Sequence, residues 1–357
     1  MRLLFIFYIP SGGVETLNRQ RCRALKERGV ECHCLYLRPG TGVQNAHNIP
    51  TFITNDEFEI QKIVRDGNYT AIIVVSAYYL IPIIRQTPYN GIIIFEVQGF
   101  GLKEQARGAM IHAKPFITPH TNALLNPKTP HIKALFRELY PTVNQYEFNN
   151  CMDVKHFTYR SLPKKDFPII AWFGRIEDNK NWSEFLHIGH RLVQRYPTLK
   201  LWMFEDHTLS TPEERDKFQK LAVALSLENR LVLRSNVPYA HMPEYFSMIG
   251  DSGGFMCSTS KSEGAPYAII EAMSCRCPVL TTDLDGVQSS VIHNVTGKYY
   301  TLGNIAEAVQ QGVQIMEDKT LRATILNKAQ QHIVTNFAPE PYCKQFLSML
   351  SDLRGNK

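Results

Sequence analysis

Short continuous apolar runs alternate with amphipathic segments along most of this sequence of 357 residues. Such runs predict strands that are buried on both faces, and these strands occur in parallel sheets covered by helices. The alternation is interrupted once, at the polar, proline-containing residues 159–166. We therefore expect two α/β domains in tandem, at 1–158 and 167–336, with residues 159–166 as a structureless linker.

The first domain opens with a strand, a glycine turn, a helix and a second strand, as doubly wound sheets do. Gly29 suits the end of that helix because it can adopt the left-handed conformation of a helix cap. Its strands are predicted at 3–8, 31–37, 71–75, 91–96, 115–118 and 143–148, and its helices at 14–28, 56–66 and 132–139.

The second domain repeats the alternation, and a helical pattern closes the chain. Strands are predicted at 169–173, 199–204, 231–233, 254–257 and 279–282, and helices at 182–196, 212–225, 242–249, 266–275 and 304–317. Pro339 and Pro341 interrupt the closing pattern, which predicts two helical pieces, at 321–334 and 340–353. We expect the segment 337–357 to pack back on the first domain.

A polar, glycine-containing turn leads into a helix between Ser260 and Met273. Pro266 suits the first helical turn, and the N–H groups at a helix start can bind an anion. Glu263 and Glu271 lie on either side of this helix start, so both can line one pocket. The segment indicates a phosphate site flanked by hydroxyl-bearing groups. The alternative is an ordinary capped helix with two solvated glutamates.

Two cations follow the first strand of the second domain. Arg175 comes directly after Gly174, and Lys180 follows in the same loop. In open α/β sheets, ligands bind at the carboxyl ends of the strands. An arginine can hold a diphosphate through two parallel hydrogen bonds, and a lysine adds a point charge. The alternative is a pair of solvated loop cations.

Together these motifs resemble those of the retaining family-4 glycosyltransferases of GT-B fold. The matching segments are Gly174-Arg175, Lys180-Asn181, Ser260-x-x-Glu263-Gly264-x-Pro266, Glu271-Ala272-Met273, Pro278-Val279, Gly12-Gly13-Val14-Glu15 and Asn150-Cys151-Met152-Asp153. The resemblance covers residues 1–30 and about 148–350. It implies two doubly wound Rossmann-like domains that face each other across a cleft, with the C-terminal helix crossing back to the first domain.

The resemblance also implies a reaction. A sugar would move from a nucleotide-diphosphate sugar, by expectation a uridine diphosphate (UDP) sugar, to a hydroxyl acceptor with retention at the anomeric carbon. Neither a metal ion nor another cofactor would be required. The product would belong to glycan, cell-envelope or glycolipid biosynthesis. The implied catalytic residues are Arg175, Lys180 and Glu263, and the implied donor-binding residues are Gly12, Gly13, Gly174, Gly264, Ala265, Tyr267 and Glu271.

The sequence departs from the family pattern at several positions. Arg276 and Cys151 replace glycines, so the helix that ends before Arg276 must be capped differently. Relatives often carry a histidine near the acceptor, but the comparable strand ends here read Ser76-Ala77-Tyr78-Tyr79 and Val97-Gln98-Gly99, without a histidine. Gln98 and the loop residue His120 are the candidates on the acceptor side. A non-catalytic GT-B protein that binds a nucleotide sugar or a glycan is therefore the alternative.

Charge is unevenly distributed between the two halves. Residues 1–160 hold 18 Lys and Arg against 12 Asp and Glu, which equals the whole net charge of +6. This excess indicates an acidic partner, either a phosphorylated acceptor or an anionic membrane surface. The alternative is a basic face without a binding function. Arg19, Arg23 and Lys26 share one face of the helix at 14–28, which we expect to be solvated.

Other classes are disfavoured by what the sequence lacks. No apolar run approaches the roughly 20 residues of a membrane span, and the first apolar run is too short for a signal peptide. We expect a cytoplasmic protein with reduced thiols and without a zinc site, with peripheral contact to the inner face of a membrane as a further option. A nicotinamide oxidoreductase would need a G-x-G-x-x-G turn, and nucleic-acid binding a stronger basic footprint.

Overall fold

In the computed structural model, which describes residues 1–45 and 48–355, the chain divides into two units. Unit 1 comprises Met1–Asp153 and Asn336–Lys357, and unit 2 comprises Val154–Thr335. Each unit is a parallel sheet with helices between its strands, as predicted for two doubly wound α/β domains.

The sheet of unit 1 has the strand order β3-β2-β1-β4-β5-β6-β7. Its strands are β1 (Arg2–Phe7), β2 (Glu31–Tyr36), β3 (Thr51–Ile53), β4 (Ala71–Val75), β5 (Ile92–Glu96), β6 (Ala123–Asn126) and β7 (Asn144–Glu147). Every residue of β4 and β5 is buried, as expected for central strands covered on both faces. The direction of strand addition reverses between β1 and β4, so a crevice for ligands is expected at their carboxyl ends.

The helices of unit 1 include one from the C-terminal end of the chain. They are α1 (Gly12–Lys26), α2 (Glu57–Asp66), α3 (Leu80–Arg85), α4 (Lys103–Ile117), α5 (Pro130–Leu139) and α12 (Pro339–Gly355). In α12 the ring of Phe346 lies 6.2 Å from that of Phe5 in β1 and 6.3 Å from that of Phe148. The C-terminal helix is thus part of the core of unit 1.

The strand predicted at 115–118 is wrong. Pro115 is exposed and lies in the last turn of α4. There the proline removes one backbone hydrogen bond of the helix but does not break the helix. The strand that follows β5 is instead β6, at Ala123–Asn126. The segment Pro115-Phe116-Ile117-Thr118 is too short for its pattern to distinguish a strand from a helix. The elements α3 and β3 were not predicted for the same reason, because they are also short.

The sheet of unit 2 has the strand order β10-β9-β8-β11-β12-β13. Its strands are β8 (Ile169–Phe173), β9 (Lys200–Glu205), β10 (Leu231–Ser235), β11 (Phe255–Ser258), β12 (Val279–Thr282) and β13 (Lys298–Tyr300). Its helices are α6 (Trp182–Arg195), α7 (Pro212–Ala224), α8 (Met242–Asp251), α9 (Tyr267–Ser274), α10 (Ile305–Glu317) and α11 (Lys319–Phe337). The predicted elements of this domain are all present, and β13 is an addition.

The segment predicted as a linker has no regular secondary structure, but hydrogen bonds hold it on unit 2. The Tyr159 hydroxyl donates to Asp251 at 2.9 Å, and the Arg160 N–H donates to the Ser247 hydroxyl at 2.9 Å. Arg276 has the left-handed φ of 57° that a glycine would favour, and its guanidinium lies 5.3 Å from the Tyr159 ring. The helix that precedes Arg276 therefore ends without glycine, as the departure from the family pattern requires.

Candidate functional site

Two loops meet at the carboxyl ends of β8 and β11, where the strand order of unit 2 reverses. The Trp172 indole N–H donates to the Thr259 hydroxyl at 3.1 Å, and that hydroxyl lies 2.9 Å from the carbonyl oxygen of Lys180. The Lys261 N–H donates to the Asn179 carbonyl at 2.8 Å. Main-chain and buried side-chain hydrogen bonds thus fix the two loops against each other.

The centre of this site is an ion pair between the loops. The Lys180 ammonium lies 2.5 Å from Glu263 Oε1, and their side chains are 22% and 11% exposed. The Ser260 hydroxyl donates to the same carboxylate oxygen at 2.6 Å. Two predicted catalytic residues that lie far apart in sequence are therefore in contact, in a partly dehydrated setting that strengthens their interaction.

Arg175, the third predicted catalytic residue, lies in the same loop but in a different setting. Its guanidinium is 2.9 Å from Glu177 Oε1, and its side chain is 51% exposed. An exposed ion pair of this kind contributes little to stability and exchanges partners readily. Arg175 is thus available to a ligand, whereas Lys180 is held in place.

The helix α9 starts beside this ion pair. Gly264 and Ala265 are half-buried in the loop before it, and Pro266 directly precedes its first residue, Tyr267. Glu271 is 7% exposed, two turns or fewer into the helix. Burial raises the pKa of the following Cys275 thiol, and the charge of Glu271 raises it further. Glu263 and Glu271 are therefore not two solvated glutamates on a capped helix.

A third loop supports the site from β12, and the sequence prediction missed it. A Cβ on Gly286 would lie 1.8 Å from the carbonyl oxygen of Glu263, so only glycine fits there. The Thr282 hydroxyl donates to the carbonyl of Ser260 at 2.8 Å. Gly174, predicted to bind the donor, lies at the base of the first loop with Lys180 packed against it. A glycine after a buried strand was the available signal for Gly286.

Two charged residues, Glu205 and Asp206, lie at the carboxyl end of the second strand of this domain. Glu205 forms an ion pair with Arg215 of α7. Asp206 Oδ1 accepts hydrogen bonds from the Thr208 N–H at 3.0 Å and from the Asn236 amide at 3.2 Å. The Asp206 contact with Asn236 holds the ends of β9 and β10 together.

In unit 1, the predicted glycine turn lies at the carboxyl end of β1. Gly12 has φ of 73° and begins α1, and both Gly12 and Gly13 are exposed. The positive φ at Gly12 is a conformation that other residues adopt at a cost. The backbone of this turn is exposed, and its contact with a donor stays a prediction.

The two acceptor-side candidates are not brought together. Gln98 follows the carboxyl end of β5, whereas His120 lies between α4 and the amino end of β6. Because β5 and β6 are parallel neighbours, these residues are at opposite edges of the sheet. The His120 backbone carbonyl accepts from Arg85 at 2.9 Å. This position does not fit the role proposed for His120 at the ligand-binding edge.

Gln98 is engaged in a buried polar network. Its amide N–H group donates to Glu96 at 2.7 Å, and it exchanges hydrogen bonds with the Asn150 amide at 2.7 and 3.1 Å. Glu96 in turn accepts from Arg21 at 2.6 Å, with both side chains 2% exposed or less. Gln98 is thus a link between buried groups as well as a candidate for ligand contact.

The basic helix α1 is not solvated along its whole basic face, and that prediction is wrong for Arg19. Arg19 is 2% exposed and lies 3.0 Å from Glu15, whereas Arg23 and Lys26 are exposed. Arg21, also on α1, is fully buried against Glu96. Three- and four-residue spacing predicts which basic residues share a face of the helix. It does not predict which of them are buried, because a buried arginine needs a nearby carboxylate.

Two further features concern the described residues, 1–45 and 48–355. Among these residues, no group of three or more His, Cys, Asp and Glu side chains is arranged to hold a metal ion. Within the same ranges, no helix combines the length and apolar character needed to cross a membrane.

The family model "Glycosyl transferases group 1" matches residues 155–332, which form most of unit 2. Over 218 residues the chain is 24% identical to the putative glycosyltransferase YtcC of Bacillus subtilis, covering 58% of this chain and 52% of that protein. It is 20% identical to a poly(ribitol-phosphate) alpha-N-acetylglucosaminyltransferase of Staphylococcus aureus, covering 58% and 41%. The chain thus spans about half or less of the length of these curated relatives.

Solved structures extend the similarity to both units. The Anabaena protein HepE, in complex with UDP-glucose, matches with a TM-score of 0.82 at 18% identity, over 99% of this chain and all of that one. At 18% identity, this structural similarity establishes the fold alone. The two Rossmann-like domains of the GT-B fold, which the sequence motifs implied, are confirmed.

Proposed function

We propose that the protein is a glycosyltransferase, because residues 155–332 match the family model "Glycosyl transferases group 1". It transfers a sugar from a nucleotide-diphosphate sugar to a hydroxyl group of an acceptor. The observation that supports the proposal most directly is the ion pair of Lys180 and Glu263 at the carboxyl ends of β8 and β11. The pair lies where open α/β sheets bind their ligands.

Lys180 and Arg175 would act on the leaving group. When the bond between the sugar and the diphosphate breaks, negative charge grows on the diphosphate, and a positive group fixed beside it lowers the barrier. Lys180 is held in position by Glu263 and needs little reorganisation. Arg175 would leave Glu177 and hold the diphosphate through parallel hydrogen bonds.

Glu263 and Glu271 would bind hydroxyl groups of the donor. Glu263 accepts hydrogen bonds from Lys180 and Ser260, which would hold its carboxylate in place for contact with sugar hydroxyls. Glu271 would accept hydrogen bonds from the ribose. The N–H groups at Gly264, Ala265 and the start of α9 would meet a phosphate or a sugar oxygen, since a helix start favours negative charge. These roles rest on the position of each residue around one helix start.

The reaction that we propose proceeds with retention and without a metal ion. The cations of the protein would neutralise the diphosphate, which is the usual task of a metal in phosphate chemistry. The departing phosphate would help to deprotonate the acceptor hydroxyl. Gln98 lies where relatives often carry a histidine, and a glutamine cannot accept a proton at neutral pH. The chemistry is therefore electrostatic more than acid–base.

We propose UDP as the nucleotide and a cell-envelope glycan or glycolipid as the product class. The fold shared with HepE, which was solved with UDP-glucose, supports the choice of UDP. The similarity to a poly(ribitol-phosphate) N-acetylglucosaminyltransferase supports a cell-envelope acceptor. Exposed Arg23 and Lys26 on α1 leave room for peripheral contact with an anionic membrane at its cytoplasmic face.

A binding screen tests this proposal. The purified protein is heated with UDP, GDP, ADP and dTDP and with their common sugars, because a ligand of the native state raises the melting temperature. We expect a shift with UDP and one UDP-sugar, which Glu271→Ala removes. Glu263→Ala and Arg175→Ala should then abolish transfer while the variants remain folded. Near-normal turnover in either variant would overturn the assigned roles.

A second candidate function is a non-catalytic protein that binds a nucleotide sugar or a glycan. The observation that favours it is Gln98, which is tied to Glu96 and Asn150 where relatives often have a histidine. Release of free UDP from a UDP-sugar separates the two functions. A protein that binds the donor but never releases UDP, with water or with any hydroxyl acceptor, would be the non-catalytic one.

A further inference from the structure

We propose that Tyr8 and Tyr79 form a binding surface for an uncharged sugar ring of the acceptor. This inference rests on the proposed glycosyltransferase function and specifies the substrate class on the side of unit 1. The two residues, called the tyrosine platform here, lie next to β1 and β4. These strands are neighbours at the point where the strand order of unit 1 reverses.

The geometry of the tyrosine platform is that of two rings side by side. Their centroids are 6.3 Å apart, with an angle of 33° between the ring planes. Tyr8 directly follows β1, and Tyr79 directly precedes α3. The carboxyl end of β1 also carries the exposed turn with Gly12. The platform therefore lies at the edge of the sheet where a ligand of unit 1 is expected.

Contacts with the segment after β4 hold the platform in place. The Tyr8 hydroxyl lies 3.2 Å from the Ser76 carbonyl, to which it donates a hydrogen bond. Ser76 is buried and has φ of 61°, an unusual backbone conformation for a residue other than glycine. Such conformations persist when surrounding structure enforces them, and they cluster at binding sites. Tyr78, in turn, packs its ring 6.3 Å from Tyr79 and 6.4 Å from Phe95.

The platform is partly exposed to solvent. Tyr79 is 42% exposed, although its ring lies against two others. An aromatic ring offers an apolar face, and a phenol hydroxyl both donates and accepts hydrogen bonds. A sugar ring matches this combination, because its C–H groups form an apolar face and its edge carries hydroxyls.

The charge around the platform argues for an uncharged ligand. Burial raises the pKa of Tyr8 to about 12, and Tyr79 and Tyr78 add to the shift. Burial likewise raises the pKa of Tyr79, and Tyr78 adds to that shift. Both phenols therefore stay neutral hydrogen-bond donors at physiological pH. Two neutral phenols can exchange hydrogen bonds with the hydroxyls of an uncharged ring but supply no positive charge to a phosphate or a carboxylate.

The experiment compares three variants of the full chain. Tyr79→Ala removes the ring and the hydroxyl, Tyr79→Phe keeps the ring, and Phe58→Ala is the control. Phe58 is an aromatic residue that is 82% exposed on α2 and lies outside the platform. Binding of methyl glycosides of glucose, N-acetylglucosamine, galactose and mannose is measured by saturation-transfer NMR. Vesicles with anionic lipid are tested in parallel, and melting temperatures show whether each variant is folded.

We expect at least one methyl glycoside to bind the wild type and the Phe58→Ala variant equally. Tyr79→Ala should weaken this binding about tenfold, equivalent to about 1.4 kcal/mol, and Tyr79→Phe should retain most of it. Equal binding by Tyr79→Ala and Phe58→Ala would overturn the proposal. So would a wild type that binds none of the glycosides, or one whose vesicle binding alone depends on Tyr79.

The outcome is separable from that of the proposed function. Binding of UDP and of UDP-sugars depends on residues of unit 2 and is measured by calorimetry in the same preparations. Loss of the glycoside signal in Tyr79→Ala, with no nucleotide binding by the wild type, would refute the transferase and leave a glycan-binding surface. Nucleotide binding and UDP release without any effect of Tyr79 would refute the tyrosine platform and leave the transferase.

Discussion

Replacing Lys180 by methionine removes a positive charge from the centre of the candidate site while it keeps most of the side-chain volume. The site offers a matched control, because Lys261 also forms an ion pair between the same two loops. Lys180 pairs with Glu263 at 2.5 Å, and Lys261 pairs with Asp178 at 2.6 Å. The two pairs differ in their surroundings and in their expected role.

The exposure of the side chains sets the expected magnitudes. Lys180 and Glu263 are 22% and 11% exposed, so the charge of Lys180 acts in a partly dehydrated pocket. Removing one preorganised group of this kind costs about 100- to 1000-fold in kcat. Lys261 and Asp178 are 34% and 84% exposed, so water screens their pair. Lys261→Met should therefore change turnover less than about fivefold.

The assay is the release of UDP from the UDP-sugar that the binding screen identifies, with kcat and KM determined separately. Lys180→Met should lower kcat and kcat/KM together, since the lost interaction strengthens in the transition state. Lys180→Arg should recover part of the rate because it restores the charge. Melting temperatures within a few degrees of the wild type are required for all variants.

Two results would refute this reasoning. If Lys180→Met and Lys261→Met lowered turnover equally, the partly buried pair of Lys180 with Glu263 would contribute no more to the reaction than the exposed pair of Lys261 with Asp178. If Lys180→Met raised KM and left kcat unchanged, Lys180 would contribute to ground-state binding and not to stabilisation of the leaving group.

Three further predictions concern stability and the support of the site. Glu96→Gln leaves a fully buried arginine without its counter-ion and should destabilise unit 1 by about 3–5 kcal/mol in urea unfolding, whereas Glu138→Gln, at an exposed pair, should have no measurable effect. Gly286→Ala should abolish UDP binding in calorimetry, because its Cβ would collide with a carbonyl of the site loop. His293 accepts from the Tyr299 N–H, and burial lowers its pKa from the ordinary 6.5. The contribution of His293 to the free energy of unfolding should therefore be fully present above pH 6.5 and should be lost as the pH falls through the lower pKa. His293→Ala should remove this pH dependence.

Local patterns predicted most of the fold because they depend on the neighbours of each residue along the chain. The buried strands β4, β8 and β12 were predicted with the boundaries that the structure has. The predicted strand at 115–118 was wrong because four residues are too few to show a period. The break before α12 was predicted because a proline lacks the N–H that would continue the preceding helix, and Pro339 is the first residue of α12.

The sequence by itself determined the alternation of strands and helices, the two α/β domains and the loops that carry the candidate residues. These features follow from local periodicity and from the rule that ligands meet the carboxyl ends of parallel strands. The tertiary structure decided which residues touch. Lys180 meets Glu263, Arg21 meets Glu96, and Gly286 supports the site loop, all across long separations in sequence. Local periodicity contains no information on strand order, and strand order brings these distant residues together.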